Sequence, residues 1–145
     1  MFDCDGGGAS ITRLGVLFKN LYFDGDAATN LTAGTCVKVY NLARRVHFDK
    51  CHIVSFRNYG LHVLNAGGIQ MSETDIFNCG YNMYGDGWAD SRIFGGESGS
   101  GFGGGAPWVI DDLYLTGSSG NLHVINHRFN VSAGVGVRID GDVPP

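Results

Sequence analysis

Short runs of alternating apolar and polar residues dominate the sequence between residues 46 and 84. The runs are rich in Val, Ile, Phe and Tyr, and Gly or Asn stands at most of the breaks between them. A period of two predicts β-strands, because successive side chains of a strand point to opposite faces. No run is long enough, or periodic enough at helical spacing, to predict a helix. The pattern therefore predicts an all-β protein.

A six-residue phrase recurs along the chain, with apolar residues at its first and last positions and mostly polar residues between them. It occurs at residues 18–23, 48–53, 71–76, 89–94 and 124–129. The last two copies are weaker, because Ile93 and Ile125 stand where a polar residue is expected. Repeats spaced roughly 20–35 residues apart are typical of arrays in which each unit buries its apolar face against its neighbours. For strands, this predicts a coil in which equivalent strands pair in parallel about 4.8 Å apart.

The alternation within the phrase predicts which side chains face the core and which face outward. The predicted core rows are Phe18, Phe48, Met71, Ala89 and Val124, and Phe23, Ile53, Ile76, Phe94 and Phe129. The predicted outward rows are Tyr22, His52, Asp75, Ile93 and Arg128, and Lys19, Asp49, Ser72, Asp90 and Ile125. His52 beside Asp75 is a candidate general base with an orienting carboxylate. The alternative interpretation is a polar cross-strand pair without a catalytic role.

Segments such as CHIVSFRNYGLHVLN and TDIFNCGYNMYGD combine an inner strand, an Asn or Gly corner and a second strand. In this they resemble the right-handed parallel β-helix of the pectin-lyase type, found in polysaccharide lyases and hydrolases and in bacteriophage tailspikes. The resemblance covers roughly residues 11–140. It implies an all-β solenoid of about five short coils, with no capping helix evident. We expect residues 1–10 to form an N-terminal arm and residues 11–145 a single β-helix domain, either part of a longer solenoid or capped by partners.

Composition and charge exclude several classes of function. The chain is 43% apolar and 17% charged, and its 24 glycines with three prolines indicate many tight corners. A net charge of −4 argues against nucleic acid as a partner, since nucleic acid is bound by clustered Lys and Arg. The sequence contains no run of 18 apolar residues, so no membrane span is predicted, and no signal peptide is visible. The four cysteines lack metal-ligand spacing, which predicts reduced thiols, and we expect no metal and no cofactor.

The segment GDGWAD is the first candidate site. Asp86 and Asp90 flank Trp88, and an exposed indole is a good platform for a pyranose ring. Residues 95–105 carry Glu97 and Phe102, and their many glycines predict a flexible loop beside this cluster. The alternative interpretation is an ordinary polar corner with the indole in the core. The glycine pattern GxGxxG in this loop does not indicate a dinucleotide site, because no helix follows it.

Acid catalysis on sugars needs two carboxylates facing one another across a groove, roughly 5–10 Å apart. The catalytic candidates are Asp90, Asp86, Asp112 and Asp111, and the predicted substrate-binding residues are Trp88, Glu97, Phe102, His52, Asp75 and Tyr22. The pair Asp111-Asp112 resembles the paired aspartates of polygalacturonases. The chain departs from that family elsewhere, since it has no Asn-Thr-Asp and no Gly-His-Gly, and Arg138-Ile139-Asp140 stands where Arg-Ile-Lys is expected.

The resemblance implies a tailspike-type module that binds bacterial surface polysaccharide, and it leaves open whether the module also cleaves it. One alternative is a free polysaccharide lyase or glycoside hydrolase, and another is a structural virion rod without catalysis. We expect a homotrimer or neighbouring virion subunits as partners, with Tyr22, Phe77, Tyr81 and Tyr84 as interface anchors. The expected location is the virion or the extracellular space.

Overall fold

The computed structural model describes residues 1–6, 12–27, 34–41, 43–100, 109–130 and 134–140. They form strands and connections and include no helix, so the predicted all-β class is confirmed. The strands are β1 (Phe2–Asp5), β2 (Thr12–Lys19), β3 (Tyr22–Asp24), β4 (Thr35–Tyr40), β5 (Ala43–Asp49), β6 (His52–Val54), β7 (Tyr59–Gly67), β8 (Gln70–Ser72), β9 (Asp75–Phe77), β10 (Tyr81–Phe94), β11 (Glu97–Gly99), β12 (Asp111–Thr116), β13 (Gly120–Ile125), β14 (Arg128–Asn130) and β15 (Val135–Asp140).

The strands form three stacks, within which neighbouring strands run parallel. The first stack contains β1, β4, β7, the N-terminal part of β10, β12 and β15. The second contains β2, β5, β8, the C-terminal part of β10 and β13. The third contains β3, β6, β9, β11 and β14. Because β10 belongs to two stacks, the first and second merge into one strongly curled sheet of ten strands, and the third is a separate sheet of five.

Each passage from the second to the third stack turns at a residue with positive φ. These residues are Asn20, Lys50, Glu73, Gly95 and Asn126, with φ between 45° and 65°. Gly and Asn adopt this left-handed conformation more readily than other residues, so Lys50 and Glu73 are unfavourable choices at these corners. The amides of both residues still continue the ladder, since Lys50 donates to the Ser72 carbonyl at 2.9 Å and Glu73 to the Phe94 carbonyl at 2.8 Å.

The observed core rows agree with the predicted ones at four of five positions each. The row of the second stack is Phe18, Phe48, Met71, Ile93 and Val124, and that of the third is Phe23, Ile53, Ile76, Ser98 and Phe129. The prediction was wrong for the fourth copy, where Ile93 replaces Ala89 and Ser98 replaces Phe94. The fourth phrase is therefore residues 93–98. It was misplaced because β10 continues through its bend without a break, and because a buried serine occupies an apolar position.

The glycine-rich segment was also predicted incorrectly at its start. Residues 97–99 form β11, which pairs with β9 and β14 instead of lying in a flexible loop. Gly99 is suited to this strand because a Cβ there would collide with the backbone of Asn130. The rest of the segment, residues 101–105, lies outside the described residues.

Burial within the core depends on position along the stacks. Met83 and Leu113 are 0% and 1% exposed, whereas Val137, in the same row on β15, is 45% exposed. All four cysteines are buried, and none of them forms a disulfide bond. Residues 2–5, in the predicted N-terminal arm, form β1 and pair with β4.

Candidate functional site

Four tyrosines on the outer side of the first stack form one cluster, which we call the tyrosine face: Tyr59, Tyr81, Tyr84 and Tyr114. Tyr59 begins β7 and lies opposite Tyr81, which begins β10. Tyr84 lies opposite Tyr114 of β12. The four side chains thus stand on three neighbouring strands, and each is partly exposed. Tyr84 and Tyr114 directly follow Met83 and Leu113, which point inward, so strand alternation places both on the outer side. Tyr59 and Tyr81 stand two positions before Leu61 and Met83, so it is their partial exposure and their ring contacts with Tyr84 that place them on this face.

The four rings are packed against one another. The ring centroids of Tyr59 and Tyr81 are 5.6 Å apart at an interplanar angle of 19°, and those of Tyr81 and Tyr114 are 5.6 Å apart at 29°. Tyr84 meets Tyr81 and Tyr114 edge to face, with centroids 5.5 and 5.3 Å apart. Offset-stacked and edge-to-face contacts are the arrangements that aromatic rings prefer. The rings therefore hold one another in place, and a ligand would meet an ordered surface.

A cation stands near each end of the tyrosine face. The guanidinium of Arg138 lies 5.0 Å from the centre of the Tyr114 ring, and its Nε donates to Oδ2 of Asp140 at 2.7 Å. At the other end, the ammonium of Lys38 lies 4.7 Å from the centre of the Tyr40 ring. Both cations are therefore already engaged by side chains of the protein.

Three polar groups at the face, those of His62, Tyr59 and Tyr84, are uncharged near neutral pH. His62 stacks on Tyr59 with ring centroids 4.2 Å apart, and burial, followed by the nearby Lys38, lowers the pKa of His62 to about 4. Burial also raises the pKa values of Tyr59 and Tyr84, with smaller contributions from their neighbours. The phenols therefore stay protonated, and each hydroxyl can both donate and accept a hydrogen bond.

Asp86 places an exposed carboxylate beside these rings. It lies opposite Leu64 of β7 and Thr116 of β12, two positions beyond Tyr84 on the same strand. It lines a shallow pocket of about 270 Å³ together with Leu64, Asn65, Gly87 and Ser118. One of the predicted site residues therefore borders the tyrosine face.

A second row of polar side chains runs along the outer side of the third stack. Tyr22 stacks on His52 at 5.2 Å between ring centroids, and Nδ1 of His52 lies 3.5 Å from Oδ2 of Asp75. The other oxygen of Asp75 accepts the Glu97 amide at 2.9 Å, and Glu97 lies 3.6 Å from Nη1 of Arg128. We call these five residues the outer polar row.

Most of the outer polar row was predicted correctly as a row. Tyr22, His52 and Asp75 are in register. Ile93 was wrong, because the shift of the fourth phrase places Glu97 beside Arg128 instead. The row is thus a series of contacts among its own members, in which His52 faces Asp75 and Arg128 faces Glu97. The predicted roles of these residues in substrate binding stay predictions.

The paired aspartates predicted as catalytic lie in the core. Asp111 is 2% and Asp112 is 1% exposed. Oδ1 of Asp112 accepts a hydrogen bond from Nδ2 of Asn82 at 2.7 Å, and Oδ1 of Asp111 accepts the Val135 amide at 3.1 Å. Burial raises the pKa of Asp112 to about 6, against the opposite effect of hydrogen bonding by Asn82 and Ser98. Both carboxylates are buried, so the expectation that they face a groove was wrong, while their predicted catalytic role stays a prediction.

The indole of Trp88 is also in the core. It is 0% exposed and packs against Gly85, where a Cβ would lie 2.8 Å from the Trp88 side chain. The prediction of an exposed sugar platform was therefore wrong, and the alternative interpretation, with the indole in the core, is correct. Asp90 is exposed beyond the bend of β10 and accepts a hydrogen bond from Asn121 at 2.8 Å. Phe102 lies outside the described residues.

Sequence reasoning missed the tyrosine face as a unit. It considered only Tyr81 and Tyr84, as interface anchors, because the four tyrosines are spread over 56 residues, from Tyr59 to Tyr114. A signal was present: Tyr59 and Tyr81 each follow a break and begin a segment with a similar pattern. Aligning these two segments would have placed the two rings beside each other.

In the part of the chain that the structure describes, no group of three or more His, Cys, Asp or Glu side chains is placed to hold a metal ion. The described residues also include no helix long and apolar enough to cross a membrane. No protein-family model, curated protein or solved structure matches this chain.

Proposed function

We propose that the chain is a short right-handed parallel β-helix of about five coils that binds bacterial surface polysaccharide through the tyrosine face. The order of the strands supports the coil, because the chain visits the first, second and third stacks in turn and repeats that order from β1 to β14. Right-handed crossovers are the rule for parallel strands. The tailspike-type assignment, with a virion location, rests on the resemblance described above.

The tyrosine face is the observation that carries the binding proposal. A pyranose has an apolar C–H face and a rim of hydroxyl groups, and a tyrosine offers an apolar ring with a hydroxyl at its tip. Tyrosine also gives large contact area at a low cost in conformational entropy. Because the four rings already pack against one another, little further freedom is lost when a ligand binds.

The spacing of the face suits a polymer. Tyrosines contributed by neighbouring parallel strands repeat about every 4.8 Å along a stack. This is close to the length of one sugar residue, so a glycan lying along the stacks would meet a ring or hydroxyl at each residue. The exposed pocket beside Asp86 would extend the contact sideways.

The proposed homotrimer has separate support on the second stack. Phe94 and Ile125 lie opposite each other on its outer side and are 49% and 47% exposed. Exposed adjacent apolar side chains are typical of interaction surfaces. Light scattering tests this part of the proposal: a trimeric mass supports it, and a monomeric mass at micromolar concentration contradicts it.

Binding is tested with a panel of neutral and acidic bacterial surface polysaccharides, immobilised and titrated with the protein. The variant Tyr81→Ala removes the central ring of the tyrosine face. We expect at least tenfold weaker binding, which corresponds to roughly 1.4 kcal/mol. The matched control is Tyr22→Ala, since Tyr22 is 65% exposed on the third stack. Unchanged thermal unfolding of both variants excludes a folding effect.

Two outcomes contradict the proposal. One is the absence of binding to every polysaccharide in the panel. The other is an equal loss in Tyr22→Ala and Tyr81→Ala, which would show that the tyrosine face has no special role. A loss in Tyr22→Ala alone would move the site to the outer polar row.

A further inference from the structure

The charges around the tyrosine face limit the kind of polysaccharide it can take, provided that the proposed function is correct. We propose that the face takes uncharged polysaccharide and discriminates against acidic polysaccharide.

Neither cation beside the face is available to an acidic ligand without a competing contact. Nε of Arg138 lies 2.7 Å from Oδ2 of Asp140, and its Nη1 lies 3.9 Å from Oδ2 of Asp111. Lys38 is held over the Tyr40 ring, with its ammonium 4.7 Å from the ring centre. At Arg138, a sugar carboxylate would have to compete with Asp140, whose own carboxylate would stand close to the incoming charge.

The carboxylates beside the face outnumber the cations. Asp86 and Asp140 belong to the same outer row, on β10 and β15, and Thr116 lies between them in the ladder. Asp5 lies opposite Tyr40 at the other end of that row. Both Asp86 and Asp140 are exposed. A glycan laid along the tyrosines would therefore run beside a row of negative charges.

His62 does not offset this excess. It stacks on Tyr59 between Lys38 and Tyr84 in the outer row of the first stack. Its ring is neutral at physiological pH, since burial and the Lys38 ammonium disfavour the protonated form. The face thus presents neutral rings, neutral imidazole and hydroxyl groups, bordered by carboxylates.

The carboxylates lie close enough to the tyrosines to repel an acidic ligand bound there. Charges are screened over about 8–10 Å at ordinary ionic strength, and the row of Asp86 and Asp140 is the neighbour of the row that holds Tyr84 and Tyr114. Like charges brought together at an interface weaken binding and slow association. Uncharged hexose units meet no such repulsion and use the same rings and hydroxyls.

The test uses uronate-containing bacterial capsular polysaccharides, each in its native form and after chemical reduction of its carboxyl groups to alcohols. The two forms share backbone and linkage and differ only at that group, which is a charged carboxylate in one form and an uncharged hydroxymethyl group in the other. We expect the reduced forms to bind about tenfold more tightly than the native forms at low salt. The ratio should shrink as salt is added. It should also shrink in Asp86→Asn, while Asp24→Asn, on the third stack, should leave it unchanged.

The outcomes separate this inference from the proposed function. If native acidic polysaccharides bind as tightly as their reduced forms, and Tyr81→Ala abolishes that binding, the inference is overturned and the proposed function stands. If neither form binds and neutral polysaccharides fail as well, the proposed function fails and the inference fails with it. A preference for reduced forms that Tyr81→Ala leaves unaffected would also overturn the inference, because it would arise elsewhere on the protein.

Discussion

The polar cluster around Asp112 and the outer polar row around Asp75 have similar residue types but different surroundings. Inside the first stack, Asn82 donates to Asp112 and to the Gly99 carbonyl, and both side chains are at most 1% exposed. Outside the third stack, His52 and Asp75 lie 3.5 Å apart with side chains 38% and 36% exposed. From this comparison we expect burial, more than the identity of the pair, to set how much each polar contact contributes to stability.

The physical reason is the cost of removing polar groups from water. A buried donor or acceptor that loses its partner cannot be rescued by solvent, whereas an exposed ion pair exchanges its partner for water at little cost. The Asp112 cluster should therefore respond strongly to substitution, and the outer polar row weakly. Four predictions test this difference, from the largest expected effect to the smallest.

Asn82→Ala should lower the free energy of unfolding by about 3–4 kcal/mol. The substitution leaves Asp112, the Gly99 carbonyl and the Cys79 amide without their Asn82 partner in a buried site. Urea unfolding measures the change. The exposed Asn58→Ala is the control and should change stability by less than about 0.5 kcal/mol. Equal effects of the two variants would contradict the importance of the buried cluster.

Asp112→Asn should change the pH dependence of stability. The pKa of Asp112 is about 6 in the folded protein against an ordinary value of 3.8. Between these values the folded protein keeps a proton that the unfolded chain has released, so stability falls as pH rises through this window and levels off above it. The variant cannot lose this proton. Its stability relative to the wild type should therefore rise by roughly 2–3 kcal/mol between pH 3.5 and pH 7.

Asp86→Asn is the matched control for this pH experiment. Like Asp112→Asn, this substitution removes one carboxylate, but Asp86 is exposed. Chemical unfolding at several pH values compares the two variants. Identical pH profiles for both would show that the burial of Asp112 is not the cause.

Glu73→Asn should raise the free energy of unfolding by about 0.5–1 kcal/mol. Glu73 has φ of 45°, and Asn20 and Asn126 occupy the equivalent corners. Glu73→Gln is the control, since it removes the charge facing Lys50 but keeps the unfavourable backbone. Thermal unfolding should show a gain for the asparagine variant alone. A gain in both variants would attribute the effect to charge.

The contact between His52 and Asp75 should have the smallest effect. A double-mutant cycle with His52→Ala and Asp75→Ala should give a coupling energy below about 0.5 kcal/mol. The cycle is needed because Asp75 also accepts the Glu97 amide, and a single substitution would remove that contact too. A coupling energy well above 1.5 kcal/mol would contradict the comparison and mark this pair as a candidate functional site.

Much of the fold could be predicted from local patterns. The alternation in the runs between residues 46 and 84 predicted strands, and the recurring phrase placed four of five residues correctly in each core row. The phrase failed at its fourth copy because β10 continues through a bend where the other segments break into two strands. Ser98, which occupies an apolar position in its row, removed the remaining signal.

The candidate site was less predictable, because it depends on contacts between distant segments. An exposed Trp88 was a reasonable hypothesis from GDGWAD, but Gly85 leaves room for the indole in the core. Asp111 and Asp112 are likewise charged residues that a sequence reader expects at the surface, but the structure buries them. Local sequence does not state whether a neighbouring segment covers a side chain, and that decides whether it can meet a ligand.

The sequence by itself determined the class of structure and most of the repeating core rows, because these depend on alternation and spacing. Only the tertiary structure decided which tyrosines stand together and which carboxylates leave the solvent. The stacking brings together Tyr59, Tyr81 and Tyr114 from three segments, and it buries Asp112 against Asn82. Register between strands sets these contacts, and register is a property of the paired segments and not of either one alone.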